Sequence, residues 1–311
     1  MKSVWVTGAH GFLGRHICRH LANHGFRVAG IGHGEWAAGE PAEWGIHTWE
    51  CSDIHLPALE RLEAKTSKPY AIFHAAGGSS VPISVSNPYR DFHRTVGTTL
   101  DVLEYIRRKS PQTPCVYPSS AAVYGSAHIG KIHEDTPMNP VSPYGAHKKL
   151  AEILCQSYSS QYGTAVSIIR FFSLYGNGLK KQLLWDLCCK LDTSAGEISL
   201  YGTGDETRDW LHVDDAVALL SLALEKASPD TYPVNGGTGI GTTVRDLAEE
   251  IRTLFCTERK IVFQGIFRDG DPRFYLADIS RAESWGWVPG RDIRGGIREY
   301  VKWFKNLRGI A

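Results

Sequence analysis

The stretch VWVTGAHGFLG, residues 4–14, joins an apolar run of strand length to a turn with three glycines, Gly8, Gly11 and Gly14. Apolar residues then recur at helical spacing through residues 12–21. This order predicts a strand, a tight turn and the start of a helix, whose backbone N–H groups converge where a pyrophosphate binds. We therefore expect a dinucleotide site; a plain turn is the alternative, because glycine is frequent in this chain.

The composition is that of an ordinary globular protein. Of 311 residues, 42% are hydrophobic and 22% are charged, and the formal net charge is +1. This balance favours neither nucleic acid nor an anionic membrane surface as a partner. The sequence has neither a signal-peptide pattern nor an apolar run of membrane-spanning length. We therefore expect a cytoplasmic protein without nucleic-acid or membrane partners.

Cysteine and histidine patterns predict neither a disulfide framework nor a metal site. The seven cysteines are scattered and form no C-x-x-C pair, so we expect reduced thiols that lie mostly in the core. The 13 histidines do not combine with a carboxylate at ligand spacing on an evident helix. We therefore expect no bound metal.

Strands and helices alternate after the first glycine turn. Strand patterns at residues 26–32, 46–53 and 70–77 enclose a helical pattern at residues 56–65. This alternation predicts an α/β fold with a doubly wound parallel sheet, in which all carboxyl ends of the strands share one edge. Ala75, Ala76 and Gly77 would lie at that edge, where small residues allow a cofactor to approach. Residues 78–88 are predicted to form an irregular loop.

The end of the second strand bears on the choice of cofactor. In dinucleotide folds an acid near this point binds the adenosine ribose hydroxyls of NAD. The residues here are Gly32, His33 and Gly34, none of which is acidic. Without that acid a 2′-phosphate is not repelled, so we expect NADP(H) in preference to NAD(H), with His33 close to it. A solvated loop residue is the alternative for His33.

A serine, a tyrosine and a lysine suggest the chemistry. A strand at residues 113–120 ends in Ser119 and Ser120, and Tyr144 precedes Lys148 by four residues on a helical stretch. Residues at this spacing share a helix face. A phenol with a pKa near 10 is a poor proton carrier at neutral pH, but a nearby cation favours its phenolate. Alone this pair is typical of a solvated helix face; together with the glycine turn it predicts a catalytic site oriented by Ser120.

The chain resembles the extended short-chain dehydrogenase/reductases that modify nucleotide sugars, over nearly its whole length. The resemblance rests on blocks at residues 7–14, 53–54, 74–77, 119–125, 142–148, 170–176, 208–215 and 268–272. It implies a Rossmann-type domain at residues 1–174, with residues 209–233 packed back on it, and a smaller C-terminal α/β lobe at residues 175–311 that binds the sugar nucleotide. It also implies a homodimer formed through helices at residues 92–109 and 144–162.

The same resemblance implies a role for each matching residue. Tyr144 and Lys148 flank the nicotinamide ribose, and Ser120 faces the sugar. The residues expected at the cofactor are Gly8, Gly11, Phe12, Leu13, Gly14, His33, Asp53, Ile54, Ala75, Ala76 and Gly77. The residues expected at the nucleotide-diphosphate sugar are Ser79, Ser80, Ser120, Ser173, Arg208, Arg268 and Asp271.

Departures from the family pattern narrow the reaction. Family dehydratases carry an Asp-Glu pair where this chain has Ala121 and Ala122, and fucose synthases carry a cysteine at the first of these positions. We therefore expect reduction of a 4-keto sugar nucleotide by NADPH, with Tyr144 as the proton donor. A 4-epimerase that retains NAD is the alternative enzyme. A non-catalytic dinucleotide sensor is the alternative of another class, disfavoured because the serine, tyrosine and lysine are all present.

Overall fold

A computed structural model describes residues 1–193, 196–230, 232–255, 258–266 and 272–310. The strands of these residues are β1 (Ser3–Thr7), β2 (Arg27–Gly32), β3 (Ile46–Cys51), β4 (Ala71–His74), β5 (Cys115–Ser120), β6 (Lys131–Ile132), β7 (Val166–Phe171), β8 (Ser173–Tyr175), β9 (Ile198–Leu200), β10 (Thr207–His212), β11 (Val234–Gly236), β12 (Gly241–Thr243), β13 (Ile261–Phe263) and β14 (Phe274–Ala277). The α-helices are α1 (Phe12–Asn23), α2 (Glu40–Glu43), α3 (Leu56–Thr66), α4 (Val81–Ser86), α5 (Pro88–Phe92), α6 (Thr98–Lys109), α7 (Pro143–Tyr162), α8 (Gln182–Thr193), α9 (Val213–Glu225), α10 (Val244–Leu254), α11 (Ser280–Ser284) and α12 (Ile293–Arg308).

The chain divides into two compact units. The first comprises Met1–Gly125, Pro137–Phe171 and Val217–Asn235, and the second comprises Ser126–Thr136, Phe172–Ala216 and Gly236–Ala311. The division at residues 1–174 and 175–311 stays a prediction.

A sheet of seven strands organises the first unit within the described residues. Its order is β11-β7-β5-β4-β1-β2-β3, and the pairs from β7 to β3 are parallel. The chain runs outward from β1 through β2 and β3, and then continues on the other side of β1 with β4. This reversal is the switch point at which doubly wound sheets bind ligands. The predicted Rossmann-type α/β fold is confirmed.

One face of this sheet is covered by α3, α6 and α7. Apolar side chains from alternate strand positions pack against apolar positions of these helices, as the two periodicities require. The buried strand residues on this face include Trp5, Ile31, Ile72, Tyr117 and Ile168. This core fixes the strands whose carboxyl ends carry the candidate site.

The second unit contains two small sheets in its described part. One has the order β12-β10-β14-β6, with β8 also pairing with β10, and the other pairs β13 with β9. The buried carboxylate of Asp209 on β10 accepts hydrogen bonds from the backbone N–H groups of Thr238, Gly239 and Ala277. Asp209 thereby ties the turn after β11 and strand β14 to β10.

Residues 78–88 are not an irregular loop as predicted, because the structure places α4 and the start of α5 there. Ser80 and Asn87 are the N-caps of these helices, and their side chains accept hydrogen bonds from the N–H groups of Ile83 and Arg90. A proline occupies the first turn of each helix, where its missing N–H is tolerated. A π-helical turn at His93–Gly97 then leads into α6, so the helix expected from residue 92 is not uniform.

Candidate active site

The glycine turn is fixed by close backbone contacts. Gly8 has a φ of +66°, and its N–H donates to the carbonyl oxygen of Ile31 over 2.8 Å. A Cβ on Gly8 would lie 2.7 Å from the nitrogen of Ala76, and a Cβ on Gly14 would overlap the carbonyl oxygen of Gly8. Both positions therefore require glycine, and the turn after β1 lies directly against the end of β4.

Helix α1 begins immediately after this turn. Its N-cap is Gly11, which has no side chain to occupy the N–H groups of the first turn, and that turn contains no acidic residue. Phe12 and Leu13 at the start of the helix are half-buried. A helix N-terminus of this kind attracts anions, so the turn fits the pyrophosphate of a dinucleotide.

His33 follows β2 and contacts a carboxylate from the next strand connection. Its Nε2 lies 2.8 Å from Oδ1 of Asp53, and both side chains are largely exposed. The loop after β2 has no acidic residue of its own, but the Asp53 carboxylate, which follows β3, lies beside it. Ile54 is buried in the apolar core formed by the sheet with α3, α6 and α7, so its side chain anchors this loop.

The end of β4 is tied to β1 through His74. The Thr7 hydroxyl lies 2.7 Å from His74 Nδ1, and Nε2 lies 3.1 Å from the Thr99 hydroxyl. Burial, with a smaller contribution from the Lys148 cation, lowers the pKa of His74 to about 3. The same Thr7 oxygen accepts the N–H of Ala76. Gly77 follows, and a Cβ there would lie 3.7 Å from the Nζ of Lys148.

The structure brings Ser120, Tyr144 and Lys148 together. Ser120 is the last residue of β5, Tyr144 lies in the first turn of α7, and Lys148 lies one turn further along that helix. The Ser120 hydroxyl lies close enough to the Tyr144 phenol to lower its pKa, and it also accepts the N–H of Ala122 over 3.2 Å. The buried Nζ of Lys148 donates to the carbonyl oxygen of Pro118 over 2.9 Å and lies 4.8 Å from the ring centre of Tyr117.

Burial dominates the titration of this group. It raises the pKa of Tyr144, and the Asp91 charge raises this pKa further, while the hydrogen bond with Ser120 lowers it. The direction is opposite to that expected from the Tyr144–Lys148 pair. Burial also lowers the pKa of Lys148 to about 8, against the charges of Glu152 and Asp91. Burial therefore disfavours the charged forms of both the phenol and the lysine.

A buried network of hydrogen bonds and one ion pair connects β5, β7 and α7. The Glu152 carboxylate accepts hydrogen bonds from the guanidinium of Arg170 on β7 and from the hydroxyl of Ser119. Arg170 also donates to the Tyr124 hydroxyl, which donates to Asn235. Ser119 is therefore a structural hydroxyl, whereas its neighbour Ser120 meets Tyr144.

A second pair of side chains, not expected from the sequence, lies beside the predicted catalytic residues. Asp91 on α5 places Oδ2 2.6 Å from Nδ1 of His147, and both side chains are largely buried. His147 directly precedes Lys148, and a Cβ on Gly78 would overlap the Asp91 carboxylate. The two residues are 56 positions apart, so local periodicity carries no signal for their contact.

The predicted substrate residues are divided between the units. Ser79 and Ser80 lie in the first unit after β4, where Ser80 caps α4. Ser173 on β8 and Arg208 on β10 belong to one sheet of the second unit, with Ser173 paired to Trp210. Arg208 donates to the carbonyl oxygen of Thr207 over 3.1 Å. Arg268 and Asp271 lie outside the described residues.

Neither a metal-binding cluster nor a membrane-spanning helix occurs among the described residues. They contain no group of three or more His, Cys, Asp or Glu side chains arranged to hold a metal ion. No described helix is long and apolar enough to cross a membrane.

Comparison with known proteins identifies the family. The sequence profile of the NAD dependent epimerase/dehydratase family matches residues 4–235. UDP-glucose 4-epimerase of Rhizobium leguminosarum bv. trifolii is 30% identical over 329 residues, which cover 97% of each chain.

Two solved structures are similar over almost the whole chain. UDP-glucose 4-epimerase of Thermotoga maritima, solved with UDP-glucose, has a TM-score of 0.88 at 26% identity and covers 98% of this chain and 99% of its own. The protein MoeE5, solved with UDP-glucuronic acid and NAD, has a TM-score of 0.87 at 26% identity with the same coverage. The chain belongs to the NAD-dependent epimerase/dehydratase family and is an NAD-dependent nucleotide-sugar enzyme of the short-chain dehydrogenase/reductase type.

Proposed function

We propose that the protein is a 4-epimerase of uridine-diphosphate sugars that works with a retained NAD. The observation that carries the proposal is the placement of Ser120 at the carboxyl end of β5 beside Tyr144 and the buried Lys148 of α7, whose Nζ donates to the carbonyl oxygen of Pro118 on β5. The same edge of the sheet carries the glycine turn. The relatives described above, which include 4-epimerases, favour this alternative over the reductase that we expected from the sequence.

The residues at the sheet edge fit a dinucleotide. Gly8, Gly11 and Gly14 would hold the pyrophosphate, Asp53 the adenosine, and Ala75, Ala76 and Gly77 would leave room for the nicotinamide half. Asp53 also supports NAD over NADP, because its carboxylate lies at the His33 side chain and would repel a 2′-phosphate. The expectation of NADP(H) rested only on the absence of an acidic residue in the loop after β2.

Proton transfer is the task of the protein's own side chains. Tyr144 takes the proton of the sugar 4-hydroxyl. It returns the proton after the 4-keto intermediate has rotated to present its opposite face, so the net reaction consumes no reductant. Ser120 orients the sugar oxygen beside the phenol. When bound, NAD would supply the hydride acceptor and donor, and the positive charge of its oxidised ring would oppose the upward shift of the Tyr144 pKa.

The other reactions of the family find less support. Ala121 and Ala122 follow Ser120, and neither side chain is able to supply the acid or base that elimination of water requires. A non-catalytic sensor does not require the Ser120, Tyr144 and Lys148 arrangement. Ser79, Ser80, Ser173, Arg208, Arg268 and Asp271 are proposed to contact the nucleotide-diphosphate sugar.

Purified protein tests this function without added cofactor. UDP-galactose and UDP-glucuronate are incubated separately with the enzyme, and the C4 epimers are followed by NMR. We expect an epimer to form with no NADPH present, and Tyr144→Phe to lower kcat by about 100-fold or more because the proton carrier is lost. Tyr162→Phe, at an exposed tyrosine near the end of α7, is the matched control. Formation of product only when NADPH is consumed contradicts the proposal.

A homodimer is proposed on the basis of exposed apolar side chains on two helices of the first unit. Leu100 on α6 and Leu150 and Ile153 on α7 are between 41% and 44% exposed. Exposed apolar positions on adjoining helices are typical of subunit contacts. Light scattering should give twice the chain mass, and Leu150→Glu should shift it to one chain. A monomeric wild-type protein contradicts the proposal.

A further inference from the structure

A pocket opens beside the catalytic residues, on the segment between β4 and α6. Its lining includes Gly78, Ser79, Ser80, Arg90, Asp91 and Arg94. It begins at Gly77, where a Cβ would lie 3.7 Å from Lys148 Nζ. One end of the pocket lining is therefore adjacent to Lys148, although Ser120, Tyr144 and Lys148 do not themselves line the pocket.

Two arginines give the pocket a positive charge. Arg90 lies on α5 and Arg94 on the following π-helical turn, four residues apart, and both line the same cavity. Within the described part of the chain, neither guanidinium makes an ion pair. Unpaired arginines in a concave site favour an anion, and their planar fork matches a carboxylate.

Asp91 also borders the pocket, but its carboxylate is engaged elsewhere. Oδ2 lies 2.6 Å from Nδ1 of His147, and the Asp91 side chain is only 3% exposed. This contact fixes α5 to α7 between the two arginines. The arginines therefore extend from an anchored backbone. This anchoring lowers the conformational-entropy cost of ordering the segment when a ligand binds.

We propose that Arg90 and Arg94 bind a carboxylate on the sugar, so that the enzyme prefers a uronic-acid nucleotide sugar to a neutral one. The inference rests on the proposed function, because it assigns the pocket to the sugar of that reaction. Two guanidinium groups donate charge-assisted hydrogen bonds to a carboxylate. A hydroxymethyl group at the same carbon is uncharged and does not replace it.

Calorimetric titration of the NAD-loaded protein tests the preference, with UDP-glucuronate and UDP-glucose as the two probes. These compounds differ only in whether C6 is a carboxylate or a hydroxymethyl group. We expect wild-type protein to bind UDP-glucuronate about tenfold more tightly or better. Arg90→Met/Arg94→Met should abolish this difference by weakening UDP-glucuronate alone, and Arg94→Lys in the Arg90→Met background should restore part of it.

Arg27→Met, at an exposed arginine that begins β2, is the control and should leave both affinities unchanged. Equal wild-type affinities for the two probes overturn the inference, as does an equal loss of both in the double variant. Epimerisation is measured on the same samples. Selective binding with no C4 epimer of either compound supports the pocket and overturns the proposed 4-epimerase. An epimerase without carboxylate selectivity overturns only the pocket.

Discussion

Two loops at the same edge of the first sheet are built in different ways. The β1 turn, residues 8–14 with the start of α1, is held by backbone sterics, because Gly8 and Gly14 have no space for a Cβ. The β4 segment, residues 75–97, is held by side chains, above all by the Asp91 contact with His147 on α7. We propose that the first loop binds the pyrophosphate that every dinucleotide shares, whereas the second lines the pocket with Arg90 and Arg94.

The difference indicates in which loop substitutions are able to change ligand specificity without loss of the fold. A turn that depends on absent side chains tolerates few substitutions, so its function is fixed. A segment held by side-chain contacts at a few positions, among them Asp91 with His147 and Ser84 with the N–H of Tyr144, leaves its other side chains free to vary. Arg90 and Arg94 flank Asp91 on such a segment and extend into the pocket.

Substitution in the β1 turn tests whether sterics alone determine that loop. Gly14→Ala places a Cβ onto the Gly8 carbonyl oxygen, so we expect loss of NAD binding and a free energy of unfolding lowered by about 3 kcal/mol or more. Chemical denaturation and NAD titration measure both effects. Gly11→Ala is the control for folding, because its Cβ would meet its nearest neighbour at 3.1 Å. Equal stability of the two variants contradicts the steric account.

Removal of the buried pair tests the β4 segment in the same way. Asp91→Ala leaves His147 buried without its partner and should lower the free energy of unfolding by about 3 kcal/mol. It should also lower kcat, because the segment and α7 lose their connection beside Lys148. A double-mutant cycle with His147→Ala, followed by denaturation, measures the coupling. Additive effects of the two substitutions show that the pair does not hold the segment.

His74 connects β1 to β4, and its titration gives a pH dependence of stability. Its pKa is about 3 in the folded protein, below the ordinary value of 6.5. Between these values the unfolded chain binds the proton and the folded chain does not, so stability falls as pH falls from 6.5 towards 3. The slope is at most about 1.4 kcal/mol per pH unit.

Denaturation between pH 7 and 4 measures this slope, and His74→Gln should make it shallower. His24→Gln, at an exposed histidine, should leave it unchanged. If His74→Gln keeps the wild-type slope, the buried neutral histidine is not its source.

The smallest effect is expected at the exposed pair of His33 and Asp53. Side chains that are 55% and 76% exposed contribute little as an ion pair, so His33→Gln should change the free energy of unfolding by less than about 1 kcal/mol. Asp53→Asn should instead weaken NADP exclusion, measured as the ratio of NAD to NADP dissociation constants. An unchanged ratio means that Asp53 does not select the cofactor.

The sequence was sufficient for features that depend on local pattern. The glycine turn, the alternation of strands and helices, and the spacing of Tyr144 and Lys148 each depend on neighbours within a few residues, and their placement was predictable. The helix α4 was missed, although Ser80 and a following proline are a start signal, because small polar residues in this region also suggest a loop.

Long-range contacts were not predictable in the same way. Asp91 and His147 belong to different periodic patterns, and only the packing of α5 on α7 brings them together. The direction of the Tyr144 pKa also depends on burial, which spacing does not reveal. The contact of Asp53 with His33 was not predictable for the same reason, because it arises from the pairing of β2 with β3.

The central claim is that oxidation and reduction occur at the same sugar carbon with one retained cofactor. The direct test is incubation of UDP-galactose deuterated at C4 with the purified enzyme in ordinary water, followed by mass spectrometry and NMR of the epimer. We predict that deuterium remains at C4 of the product, with no transfer to solvent or to added NAD. Loss of deuterium from C4 into the added cofactor, or product formation that requires stoichiometric NADPH, would contradict the claim.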